Sequence, residues 1–213
     1  MPYLLVIVLS IFTLTGCQSA YYSAMEQVGY HKRDIMVDRV EDAKLSQQDA
    51  QQEFTSALEA LSALTNFNGG ELESVYNQIN DKYQDSEKAA QDVSDRIAAI
   101  EDVSDALFAE WQDELELYTS SKLKRASEQK LKETQRSYKT MLSAMKRAED
   151  KMTPVLNTLR DNTLYLKHNL NANAIGSLQG EFMSLEQDIE VAINEMKSAI
   201  AESDKFLQKL SQK

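Results

Sequence analysis

The apolar positions of this chain fall into four long runs that share one rhythm. Met36, Val40, Ala43, Ala50, Phe54, Ala57, Leu61 and Leu64 recur at alternating spacings of four and three, with Gln47 filling the one gap. Leu72, Tyr76, Ile79, Tyr83, Ala90, Val93, Ile97, Ile100, Leu107 and Trp111 repeat the pattern, with Ser86 and Ser104 as polar interruptions. Leu131, Thr134, Tyr138, Met141, Met145, Ala148, Met152, Val155 and Leu159 form the third run. Ile175, Leu178, Phe182, Leu185, Ile189, Ala192, Met196, Ala199, Phe206 and Leu210 form the fourth, with Ser203 in register. Such spacing keeps one stripe of a helix apolar and is the signature of coiled-coil packing. The polar members of the seam are expected to set register or to bond neighbouring backbone.

Breaks separate the runs. Asn66-Phe67-Asn68-Gly69-Gly70 is a turn. Thr119-Ser120-Ser121 supplies N-caps for the run that follows, and the asparagines between Asn169 and Asn173 end it. The spacing therefore predicts helices over 22–66, 71–118, 121–168 and 174–211, each about 55–75 Å long. Similar lengths and short turns imply antiparallel neighbours, so the expected fold is all-α: an elongated antiparallel bundle of four long helices, up-down-up-down. Pro154 is expected to kink the third helix, with a restart capped by Thr153 as the alternative. Composition agrees with helix, since 213 residues hold only 6 Gly and 2 Pro.

Ahead of the bundle the pattern changes. Tyr3 to Leu14 is apolar except for Ser10 and Thr13, too short for a spanning helix, which needs about 20 residues, but suited to a signal-peptide core. Leu14-Thr15-Gly16-Cys17 follows it and resembles the lipobox of bacterial lipoproteins. Cys17 is the only cysteine, so lipidation of its thiol is expected, and no intramolecular disulfide can form. Met1-Pro2-Tyr3 lacks the usual Lys or Arg, which leaves the start site open. Gln18, where an Asp would signal inner-membrane retention, resembles the outer-membrane signal. The expected organisation is a lipoprotein signal peptide over 1–16, a lipidated N-terminus and short tether over 17–21, and a single bundle over 22–213. The chain would then sit in the cell envelope, facing the periplasm.

Charge excludes some partners and suggests another. A net charge of −11 argues against nucleic-acid binding. Yet residues 20–35, 108–132 and 201–213, which the topology brings to the lipid-proximal end, carry +10 against −9 and leave −12 to the rest. Lys32, Arg33, Lys122, Lys124 and Arg125 are the candidate membrane-facing residues, and Tyr21-Tyr22 are candidate interfacial aromatics. The dense charges Lys32-Arg33-Asp34 and Asp38-Arg39 are expected to form an ion-pair cluster against the turn between the second and third helices, or to meet a partner.

Catalytic chemistry finds no foothold. The two histidines, His31 and His168, follow Val28 and Tyr165 by three residues, so the Glu-x-x-His pairs of a di-metal bundle are absent. Neither a phosphate-binding Gly-rich loop nor a Gly-x-Ser-x-Gly elbow occurs. Gly176 and Gly180 have polar neighbours and read as a tight helix start. No catalytic residue, metal or cofactor is expected.

The stretches GYHKRDIMVDRVEDA (Gly29–Ala43), FNGGELESVYN (Phe67–Asn77), DALFAEWQDEL (Asp105–Leu115) and LKHNLNANAIGSLQGE (Leu166–Glu181) resemble a proteobacterial lipoprotein family of unknown function, the domain of unknown function 2959. The resemblance implies an exported, coiled-coil-rich lipoprotein and no activity. The expected function is a non-enzymatic scaffold, spacer or tether, held to a bilayer through acylated Cys17 and engaging another envelope protein. Self-association is left open. The alternative is a periplasmic chaperone or transport accessory, whose Met141, Met145, Met152 and Met196 would adapt to apolar clients.

Overall fold

A computed structural model describes residues 16–65, 72–169 and 172–211. They form five helices: α1 (Gly16–Gln27), α2 (Lys32–Thr65), α3 (Leu72–Leu115), α4 (Ser121–His168) and α5 (Ala172–Ser211). The long four match the four sequence runs. Each packs on two neighbours, α2 on α3, α3 on α4, α4 on α5 and α5 back on α2, which closes a four-helix ring. The expected signal-peptide core, the expected Asn66–Gly70 turn, and the side chains of Cys17, Leu64, Ile175, Gly176 and Gly180 lie outside the described residues.

The fifth helix corrects the expected 22–66 segment. α1 ends at Gln27, and Gly29 adopts φ +84°, a left-handed conformation that side chains with a Cβ resist. The Gly29 N–H bonds the Glu26 carbonyl at 2.9 Å and the Tyr30 N–H bonds that of Met25 at 3.0 Å, closing the turn. The chain then restarts at Lys32, with the Asp34 carboxylate accepting from the His31 N–H at 3.2 Å. Residues 17–21 lie within α1.

The seam residues pack as their spacing dictates. Met36, Val40, Phe54, Val93, Ile100, Met141, Met145, Leu185, Met196 and Phe206 are fully buried. Ala43, Ala50, Ala90, Ala148, Ala192 and Ala199 between them bring the helix backbones close. The buried stripe is wider than the seam, because a helix in a ring faces two neighbours. Ile35, Ala60, Ala89, Val103, Ala144 and Leu207 fill its flanks. Tyr138 packs edge-on to Phe108 with centroids 5.4 Å apart.

Most buried hydroxyls bond backwards within their own helix, Ser86 to the Lys82 carbonyl (2.8 Å), Thr134 to Lys130 (2.9 Å) and Ser203 to Ala199 (2.7 Å). This satisfies the group within its own helix, and Ser86 Oγ also donates to the Glu53 carbonyl of α2 at 3.4 Å. Gln47 differs. It is fully buried, and neither amide atom finds a hydrogen-bond partner.

Ser120 caps α4 by accepting from the Leu123 N–H at 3.4 Å, and Asn169 ends it, its N–H bonding the Leu166 carbonyl at 3.1 Å. α4 runs unbroken through Pro154, so Thr153 starts no new helix. Pro154 sits on the exposed face, where solvent can satisfy the carbonyl one turn earlier that its ring leaves without a donor.

Candidate functional site

The antiparallel ring places the start of α2, the α3–α4 turn and the end of α5 at one end of the bundle. The Lys32 ammonium bonds the Glu110 carboxylate of α3 at 2.9 Å. The Trp111 indole N–H donates to Ser127 Oγ of α4 at 2.8 Å. Arg33, Leu107, Glu110, Trp111, Glu114 and Leu210 line an open groove of about 200 Å³ there.

The candidate basic residues separate into two groups. Lys32 is held between Glu26 of α1 and Glu110 of α3, with most of its side chain covered. Burial pulls its pKa down, but the two carboxylate bonds outweigh burial and raise it above the ordinary lysine value. The bond from Lys32 in turn holds Glu26 below the usual carboxylate range. Lys124 bonds Glu116 across the α3–α4 turn at 3.0 Å. Arg33, Lys122 and Arg125 are exposed, and none makes an ion pair among the described residues. The structure therefore turns Lys32 inward, engages Lys124, and leaves three cations facing outward.

α1 is the part that sequence reasoning misplaced. It doubles back along the bundle. Its Tyr22 hydroxyl donates to Asp102 of α3 at 2.5 Å and accepts from the Arg39 guanidinium of α2 at 3.0 Å. Arg39 also pairs with Asp102 at 3.1 Å and donates to the Ala99 carbonyl. The Arg39 and Lys32 cations approach the Tyr22 ring, with centroid distances of 5.6 and 5.9 Å, which adds a cation–π attraction. Burial, reinforced by the Asp102 bond and opposed by Arg39, pushes the Tyr22 phenol up to about 12. Of the expected interfacial pair, only Tyr21 stays exposed; Tyr22 is 2% exposed and is a packing residue. Of the dense charges of early α2, Lys32 pairs with Glu26 of α1 and Glu110 of α3, and Arg39 pairs with Asp102 of α3; Arg33, Asp34 and Asp38 form no ion pair among the described residues.

The direction of α1 also relocates Cys17. An anchor leading straight into α2 would emerge at the end of the bundle. Instead, Cys17 lies ten residues before Gln27 along α1, about 15 Å back from the turn, on the flank of the shaft. Its backbone is helical.

Sequence reasoning also passed over four exposed apolar side chains at this end: Val28 in the α1–α2 turn, Leu117 and Tyr118 in the α3–α4 turn, and Leu123 in the first turn of α4. The available signal was their position, apolar residues outside any seam and beside basic ones.

Among the described residues, no group of three or more His, Cys, Asp or Glu could hold a metal ion. No described helix is long and apolar enough to cross a membrane. The architecture defines an all-α bundle protein, four long helices in a ring with a short N-terminal helix folded against them. The chain belongs to the family described as "Protein of unknown function (DUF2959)", whose pattern matches residues 21–210. Comparison with curated proteins gave no match, and no solved structure matches.

Proposed function

We propose that the chain is an envelope lipoprotein, anchored through acylated Cys17 at the periplasmic face of the outer membrane, that serves as a non-enzymatic scaffold, spacer or tether for another envelope protein. The observation that carries this reading is Leu14-Thr15-Gly16-Cys17, set between an apolar leader and the bundle. The long helices, 34 to 48 residues each, give a shaft of about 50–70 Å, a useful length for spacing or bridging. Met141, Met145, Met152 and Met196 are closed inside the bundle, which favours a rod over a binder of apolar clients.

Mass spectrometry of the protein from cells tests the anchor. The expected N-terminal peptide begins at Cys17 and carries a diacylglyceryl group and an amide-linked acyl chain. An unmodified Cys17 overturns it. In-cell crosslinking tests the scaffold: one stoichiometric envelope partner is expected, and capture of many unfolded clients overturns the rod reading.

A further inference from the structure

We propose that the end of the bundle bearing the α1–α2 and α3–α4 turns is itself a membrane-docking tip, built to rest on an anionic bilayer surface through Val28, Leu117, Tyr118 and Leu123 with Lys122 and Arg125 among them. This deepens the anchored-lipoprotein reading and rests on it for a bilayer within reach, but the contact is made by the folded protein and needs no acyl chain.

Two independent features coincide at the tip. The first is apolar exposure. Leu117 is 79% exposed, Val28 77%, Leu123 57% and Tyr118 41%, all in two turns at one end and all outside the helical seam. Most seam side chains of the bundle are buried, whereas these four leave much of their apolar surface to solvent. Tyr beside leucines and cations is the composition of a segment lying in the headgroup region.

The second feature is charge. From Leu117 to Ser127 the chain holds three cations and no acidic residue. Glu116 engages Lys124, leaving Lys122 and Arg125 outward with no carboxylate partner among the described residues. The Val28–Arg33 turn likewise has cations and no acid. In a chain of net charge −11, such a patch is complementary to anionic headgroups, which attract cations held near the surface.

Exposed apolar residues toward the other end lack this company. Leu164, Tyr165 and Met183 are exposed, but the chain around them carries Asp161, Glu181 and Glu186 beside Arg160 and Lys167, and Arg160 pairs with Asp161 at 3.5 Å. The chain just before Leu117 is acidic too, with Asp113 and Glu114 exposed, so the cationic surface of the α3–α4 turn is confined to the start of α4. What favours the tip is the sum over its three segments, 20–35, 108–132 and 201–213, which is +1 against −12 for the rest of the chain.

The test uses the full chain with Cys17→Ser, so that no lipid is attached. An environment-sensitive fluorophore is placed at Thr119→Cys in the tip or at Lys139→Cys, about 27 Å up α4. Unilamellar phosphatidylcholine vesicles with and without 30% phosphatidylglycerol are the probe surface. The tip fluorophore is expected to shift to the blue on anionic vesicles and to be quenched by lipids spin-labelled near the headgroup, while the shaft fluorophore stays unchanged. Because both sites share one chain, membrane binding by the apolar leader alone does not produce this difference. Neutralising Lys122 and Arg125 to Gln should weaken the tip signal about 30-fold, at roughly fivefold for each cation near an anionic surface. Leu117→Ser with Leu123→Ser should abolish the quenching.

A silent tip fluorophore, an equal response at both sites, or a blue shift that depends on protein concentration without vesicles overturns the proposal. Any of these leaves the anchor reading standing, since that reading is decided by the mass of the Cys17 peptide.

Discussion

Docking of α1 against the ring hangs on Tyr22, and its removal gives a graded prediction. In Tyr22→Phe the hydroxyl is lost, but Arg39 and Asp102, 3.1 Å apart, keep each other and neither is orphaned. The loss is then that of hydrogen bonds to charged partners, about 1–2 kcal/mol. Tyr22→Ala also removes a ring that is 2% exposed, and the cost rises to about 3–5 kcal/mol. α1 lies outside the closed ring of long helices, so the cost falls on a local opening rather than on the bundle. Hydrogen exchange should show α1 amides about 5- to 30-fold less protected in Tyr22→Phe and close to unprotected in Tyr22→Ala. The denaturation midpoint of the bundle should stay within error. pH offers a second arm. The Tyr22 phenol is raised from 10 to about 12, so the folded state holds the proton more tightly. The part of the docking stability that depends on the Tyr22 proton is present in full below pH 10 and is lost as pH rises from 10 to about 12. Undiminished α1 protection in Tyr22→Ala, or loss of the bundle together with α1, refutes the reasoning.

Three further outcomes follow from single residues. Phe54→Ala, at a fully buried side chain, should lower stability by about 3–5 kcal/mol in chemical denaturation, and a neutral result would remove Phe54 from the core. Gln47→Leu should raise the unfolding free energy by about 1–3 kcal/mol in chemical denaturation, because it deletes two buried amide atoms that lack partners; a loss of stability would mean that the amide is satisfied in solution. Gly29→Ala should cost about 1–2 kcal/mol through its φ of +84° alone, since nothing lies within 4 Å of the added Cβ, and the loss should appear in exchange of the α1–α2 turn before it appears in the bundle.

The ring was legible because its cause is periodic. A seam at spacings of three and four can be buried only by a helix, and Phe54, Met145 and Ile100 lie where that arithmetic puts them. The flanking Ala60, Ala89, Val103 and Ala144 were not legible, since alanine suits a solvated face and a buried one alike, and only the second neighbour decides. The break at Gly29 was hidden for a related reason: one glycine is weak punctuation, and the apolar pattern resumes within a few residues. The site was legible in its residue types but not in their partners. Lys32 and Lys122 look equivalent in sequence, yet Glu26 and Glu110 claim one, while the other stands beyond the last acid of α3. Tyr21 and Tyr22 separate in the same way, through Arg39 and Asp102, which lie 17 and 80 residues from Tyr22.

Under the proposed anchoring at Cys17 and the proposed tip contact, the folded-back α1 gives anchor and tip different positions, and this constrains how the rod stands. With α1 docked, Cys17 sits about 15 Å from the tip along the shaft. Acyl chains on Cys17 and the tip side chains can then share one bilayer only if the shaft leans toward the membrane on its α1 side. With α1 released at the Gly29 turn, the helix becomes part of the tether, the tip carries the load, and the shaft can stand upright. The energies favour release wherever the two conflict. Docking depends on Tyr22, the partly buried Met25 and a few polar bonds, worth several kcal/mol, whereas burying acyl chains gives about 0.8 kcal/mol per CH₂. The Tyr22–Arg39–Asp102 cluster therefore does little to hold the protein on the membrane. Its consequence lies in the angle of the rod, and so in how far from the bilayer the distal end reaches.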